Sequence, residues 1–203
     1  MKDVLDRIDA HVRAVFGRGV WRPGRVDASG PLADFHRVAD GGLEEDPTFG
    51  SFTLLGVDEA AAEKRMMDQL AIDEAWEKSW WSPTWHPFGS DRCGQLLVVD
   101  ADSGRVIEFL HDDDARPEHA VSLAAWFADI AARLDDGRLV VDLKRGVQSP
   151  EDIAADLAFA AARAAREAAT AQAVVAEMRR AKTMAVVGAG IAVVFMVLTI
   201  VLR

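Results

Sequence analysis

Apolar residues recur at three- and four-residue steps near the start of the chain, where Val4, Ile8, Val12, Val15 and Phe16 share one face and Gly17 follows. This spacing predicts an amphipathic helix ended by glycine. A loop rich in Gly, Arg and Pro separates it from a short helix beginning near Pro31, with Leu32, Phe35 and Val38 inward and Gly41 and Gly42 as its stop. Alternation over residues 48–55 predicts a strand, and Asp58 is placed to cap a helix carrying Ala62, Met66, Met67 and Leu70. Residues 95–100 and 105–109 read as two strands flanking Ala101, Asp102, Ser103 and Gly104, a set suited to a hairpin turn. Ser122 can cap a helix with Leu123, Trp126, Phe127, Ile130 and Leu134 on one face and Gly137 at its end; residues 138–143 read as a last strand. Helices and strands mix without regular alternation, which predicts an α+β domain with a mixed or antiparallel sheet packed by helices.

The pattern changes after Gln148. Ser149, Pro150, Glu151 and Asp152 form a helix start, with a hydroxyl at the cap, proline in the first turn and carboxylates near the positive dipole end. Residues 150–182 hold 14 Ala and no Gly or internal Pro, which predicts one long helix. Ile153, Leu157, Ala160, Ala164, Ala168, Ala171, Val175 and Met178 make a narrow stripe suited either to close pairing with a second copy or to a solvated single stalk. From Met184 to Leu202 the chain runs 19 residues without a charge. As a helix this run is about 28 Å long, the thickness of a bilayer core. Arg179, Arg180 and Lys182 precede it and Arg203 follows, which places the N-terminal side in the cytoplasm. The opening residues MKDVLDRIDA lack the apolar core of a secretory signal. The expected organisation is a globular domain (1–149), a helical stalk (150–182) and a single-pass tail anchor (183–203) in the plasma (inner) membrane. Gly188 with Ala192, and Ala185 with Ala189, have the spacing that lets membrane helices approach closely.

Charge changes the picture next. The chain carries 23 Lys plus Arg against 33 Asp plus Glu, for a net charge of -10. Residues 1–26 sum to +3, residues 27–130 to -15 and residues 131–203 to +2. The acidic middle excludes nucleic acid as a partner and favours a basic protein, because summed surface charge steers association. Two runs concentrate it: Glu44, Glu45 and Asp46, and Asp112, Asp113 and Asp114. Each is either a solvated loop or part of a docking surface. A single Cys excludes a disulfide scaffold and a cysteine-based zinc site.

Residues 80–109 read WWSPTWHPFGSDRCGQLLVVDADSGRVIEF. Trp81, Trp85 and Pro87 form a Trp-x-x-x-Trp-x-Pro segment, followed by a polar turn ending at Gly94, an apolar strand closing on Asp100 and a turn at Gly104. This order resembles the SUKH superfamily, which groups bacterial immunity proteins with yeast cell-wall-assembly regulators. The flanks are similar too: Pro31, Leu32, Phe35, Asp40 and Gly41 resemble the family's early helix, and Val121 to Leu123 with Trp126 and Phe127 its closing helix. The resemblance covers about residues 28–143 and departs from the family at Arg92, Cys93 and Gln95. It implies a non-enzymatic protein-binding module that neutralises a toxin, or else an adaptor in cell-wall or envelope regulation.

Large aromatics are most often core, so Trp81 and Trp85 are expected inside, while Trp80 or Trp76 is a candidate for a partner-facing patch. Other chemistry is thin. His111 and His119 with the intervening acids match no standard metal-ligand spacing, although an enzyme using that region would place His111 and Asp113 in a pocket. Asp100, Asp102 and Gly104 imitate the start of a calcium loop, but glycine stands at the third ligand position. Cys93 has no neighbour that would activate it except Arg92. Neither a cofactor nor a metal is expected.

Overall fold

The computed structural model describes residues 1–42 and 49–201, with side chains described through residue 175 and at 177 and 178. Two units separate, Met1–Ile153 and Ala154–Arg203.

The first unit is α+β with antiparallel sheets. Helix α1 (Lys2–Phe16) buries Leu5, Ile8 and Val12, and Gly17 closes it with φ +72°. The expected inward face is rotated slightly, since Leu5 points in and Val15 is 41% exposed. Strand β1 (Trp21–Pro23) pairs with β2 (Ala39–Gly42) in a two-stranded sheet, and helix α2 (Ala33–His36) lies between them in sequence. Leu32 and Phe35 are buried as expected. Gly41 and Gly42 do not stop the helix. They belong to β2, where Gly41 has φ +73° and a Cβ would stand 2.5 Å from the Gly56 nitrogen. Only glycine permits that approach.

The main sheet has five strands in the order β3 (Thr53–Leu54), β4 (Trp85–Ser90), β5 (Leu96–Asp100), β6 (Val106–Phe109) and β7 (Glu118–Ala120). The strand expected over residues 48–55 contracts to two residues because Phe49 and Phe52 bond to each other across a tight turn. Helix α3 (Val57–Asp73) joins β3 to the rest. Asp58 is not its cap. The first turn is closed instead by the Glu59 carboxylate, which accepts the Gly56 N–H at 2.7 Å, and by Asp40, which accepts the Val57 N–H at 2.7 Å. Arg22 ties this corner together by donating to the Asp40 carbonyl and to Glu59. Met67 alone of the expected apolar face is buried; Met66 and Leu70 are exposed.

Helix α4 (Leu123–Asp135) begins as expected, with Ser122 Oγ accepting the Ala125 N–H at 3.1 Å. The last expected strand shortens to β8 (Val140–Asp142) and turns back into an unanticipated β9 (Gly146–Gln148).

Strand β5 is buried on both faces, and its alternation sorts two cores. Leu97 and Val99 join Val106, Phe88 and Phe127 in a larger core shared with α1, α2 and α4. Leu96 and Val98 join Trp85, Trp81, Phe109 and Met67 in a smaller one.

The second unit is helix α5 (Pro150–Val201), whose start in the first unit is capped by Ser149 Oγ accepting the Asp152 N–H at 3.0 Å. Leu157, Phe159, Val174, Val175 and Met178 are exposed. Among the described residues no helix is long and apolar enough to cross a membrane. The expected span, Met184 to Leu202, lies outside the described side chains.

Candidate partner-binding face

The Trp segment follows α3 and crosses the smaller core. Trp81 is 3% exposed and Trp85 is 8% exposed. Their rings meet edge to face at 5.6 Å, and Trp81 meets Phe109 at 5.5 Å in the same way. Burying Trp81 leaves its indole N–H to be satisfied; it donates to Asp68 at 2.9 Å. Pro87 is buried as well. Trp81, Trp85 and Pro87 are therefore structural.

The turns explain the remaining motif positions. At the β4–β5 turn, Asp91 accepts the N–H groups of Cys93 and Gln95 at 2.7 and 2.8 Å, and Gly94 takes φ +112° against the His111 ring. Arg92 and Gln95, where the chain departs from the family pattern, sit in this exposed turn together with the exposed Cys93. At the β5–β6 turn Asp100 accepts from Thr84 at 2.7 Å and from Ser103 at 2.6 Å, while Gly104 N–H donates to the Asp100 carbonyl. Burial pushes the Asp100 carboxyl up, but these donors outweigh it and hold it below its usual range. These groups close a turn and need no calcium.

Trp76 and Trp80 sit at the rim of the smaller core, each half-buried, with ring centroids 6.2 Å apart. Arg116, from the loop between β6 and β7, lies over this rim. Its guanidinium carbon is 4.9 Å from the Trp80 ring, 4.8 Å from Phe109 and 5.9 Å from Trp85. Arg116 Nη2 donates to the Trp80 carbonyl at 2.9 Å, and Nη1 to the carbonyls of Asp113 and Ala115 at 2.6 Å and of Leu110 at 3.3 Å. One side chain thus fastens the acidic loop to the Trp segment. Burial pulls the guanidinium below its ordinary value, with Asp114 and Asp113 opposing.

Asp112, Asp113 and Asp114 are exposed on the loop that Arg116 anchors. The acidic run and Trp80, 32 residues apart in sequence at their nearest, are therefore parts of one surface. Glu77, exposed, lies beside it, its carbonyl accepting the Trp80 N–H at 2.9 Å. Glu44, Glu45 and Asp46 lie outside the described residues. Sequence reasoning missed Arg116, although one basic residue inside HDDDARPEH was a visible signal.

His111 and His119 make separate contacts. His119 pairs with Glu108 at 2.8 Å, and His111 is exposed beside Gly94. Among the described residues no group of three His, Cys, Asp or Glu side chains is arranged to hold a metal. A cavity of about 390 Å³ lies elsewhere, where the loop at Asp27 to Leu32 meets His36, Lys64 and His86, and neither His111 nor Asp113 lines it.

Residues 31–129 match the SMI1 / KNR4 family (SUKH-1), a stretch that runs from the start of α2 into α4 and contains the whole five-stranded sheet. No curated protein matches the chain.

Proposed function

The chain carries a domain of the SMI1 / KNR4 family (SUKH-1), and from that premise we propose that it is a non-enzymatic protein-binding module of the immunity type. In this reading it neutralises a basic toxin domain by forming a stoichiometric complex. One observation carries the choice of surface: Arg116 bonds to the carbonyls of both loops, so aromatic and acidic groups present a single face. Such a face supplies a large apolar anchor for the centre of an interface and exposed charge for its rim. The -15 of residues 27–130 supports a basic partner.

The test is kinetic. Replacing Asp112, Asp113 and Asp114 together by Asn slows association with the toxin encoded beside this gene and flattens its salt dependence. Loop charges act through steering that is screened over about 10 Å at 0.1 M salt, so the difference is largest at low salt. Equal association rates at low salt overturn the choice of surface. Absence of such a neighbour and of any complex favours an adaptor in envelope regulation instead.

The uncharged 19-residue run before Arg203 supports tethering to the cytoplasmic face of the membrane. The N-terminal domain is then protected from protease added outside intact cells; digestion there reverses the topology.

A further inference from the structure

Arg116 contains the one guanidinium atom of the face that the fold leaves unsatisfied: Nε is buried without a hydrogen-bond partner. Unpaired buried donors are rare in folded proteins and call for a reason. The other two nitrogens donate to main-chain carbonyls, and among the described residues Arg116 pairs with no carboxylate. Three rings also surround it. Phe109 and Trp85 are buried and form the inner wall, while half-buried Trp80 forms the outer wall. Rings that converge on one point attract any compact cation, because each presents the negative face of its quadrupole.

We propose that the cage of Trp80, Trp85 and Phe109 is a receptor for a basic side chain of the partner, and that Arg116 is an internal place-holder displaced when that side chain enters. The proposal rests on the reading of this face as a docking surface and specifies its ligand: a guanidinium or ammonium group carried by the bound protein. An entering arginine finds the same three rings and the carbonyls of Trp80 and Leu110. Arg116, once released, exposes Nε to water and frees the loop that carries Asp112, Asp113 and Asp114. Those carboxylates can then close on neighbouring basic groups of the partner. The exchange keeps the cation–ring contacts, returns Arg116 Nε to water and offsets the loss of its bonds to the Asp113 and Ala115 carbonyls with charge pairs across the interface.

The place-holder makes a measurable prediction, because a site open only part of the time binds an outside ligand more weakly by the fraction of time it is open. The full chain in detergent micelles is titrated with N-acetylarginine amide while tryptophan fluorescence is followed. R116A binds this probe at least about tenfold more tightly than the unaltered chain, as expected if Arg116 fills the cage nine-tenths of the time or more. N-acetylcitrulline amide, similar in shape but uncharged, gives no response with either. Equal affinity in the two chains, or equal binding of the citrulline compound, overturns the cage. If R116A does not fold, hydrogen exchange on the unaltered chain decides. The Ala115 amide, now bonded to Asp113 at 2.8 Å, exchanges faster at saturating N-acetylarginine amide if Arg116 leaves, and unchanged or slower exchange overturns displacement. The docking reading fails separately. There the Asn triple variant associates with the toxin at the normal rate although the cage still takes the probe.

Discussion

The two aromatic clusters on either side of β5 are made from the same residue types and reach different ends. In the larger core Phe35, Phe88 and Phe127 are 0% exposed, and Trp21 stacks flat on Phe49 at 5.7 Å with the rings 5° from parallel. Helices α1, α2 and α4 contribute to that side, so every ring has an apolar neighbour. In the smaller core the inner rings are buried nearly as deeply, but only α3 and the Trp segment cover them. The cover runs out at Trp76 and Trp80. There a charged side chain completes the packing. The lesson is one of supply: where helices suffice, aromatics close a core, and where they do not, the rim stays open to solvent.

Substitutions at matched positions sharpen this contrast. Phe127→Ala removes a ring from the centre of the larger core and destabilises the domain by about 3–5 kcal/mol. Trp80→Ala lowers stability by about 1 kcal/mol, as expected for a half-buried side chain away from the main packing. Denaturant unfolding of both variants measures the pair. Equal losses would mean that the rim is as structural as the centre.

An effect between these two comes from the backbone corner that orients β2 against α3. Gly41→Ala places a methyl group against the Gly56 nitrogen at a positive φ, which destabilises by about 2 kcal/mol. A thermal midpoint within error of the unaltered chain would show that β2 and the start of α3 part readily there.

The smallest effect is that of pH on the larger core. Burial lowers the pKa of His36, against a partial counter-effect of its bond to the Leu55 carbonyl at 3.3 Å and the charge of Asp40. The folded state therefore favours the neutral imidazole more than the unfolded chain does, which protonates it near pH 6.5. Stability present above that pH is lost as pH falls below it. Burial, with Lys64 beside it, lowers the pKa of His86 in the same sense. Unfolding midpoints measured from pH 7.5 to 5 decline for the unaltered chain and decline less for His36→Gln. Parallel slopes would sink the assignment to His36.

Much of this architecture could be read from residue spacing, and the failures have physical reasons. Helices α1 and α4 were legible because their apolar residues repeat at helical intervals and Gly17 and Ser122 mark an end and a start. Helix α3 was legible as a helix but not in its facing. Ala62, Met66 and Leu70 look like core in one dimension and are left exposed, while Met67 alone of that face is buried. Gly41 looked like a helix stop because its positive φ suits either role, and only the nearness of Gly56, 15 residues on, decides. Of the candidate face, Trp80 and the Asp112 to Asp114 run could be named separately. Their adjacency could not, since it depends on the β6–β7 turn folding Arg116 back across the sheet.

Helix α1 carries a burden of time. Leu5, Ile8 and Val12 are made more than a hundred residues before their cover, since α1 packs against α4 and β8, which begin at Leu123 and Val140. A ribosome adding about 5–20 residues per second leaves that apolar stripe without its cover for about 6–25 s. The sheet can assemble in chain order during this interval, since β4 to β7 are sequential neighbours, but the larger core cannot close. Any nascent chain stalled before Leu123 offers α1 to the first apolar surface it meets.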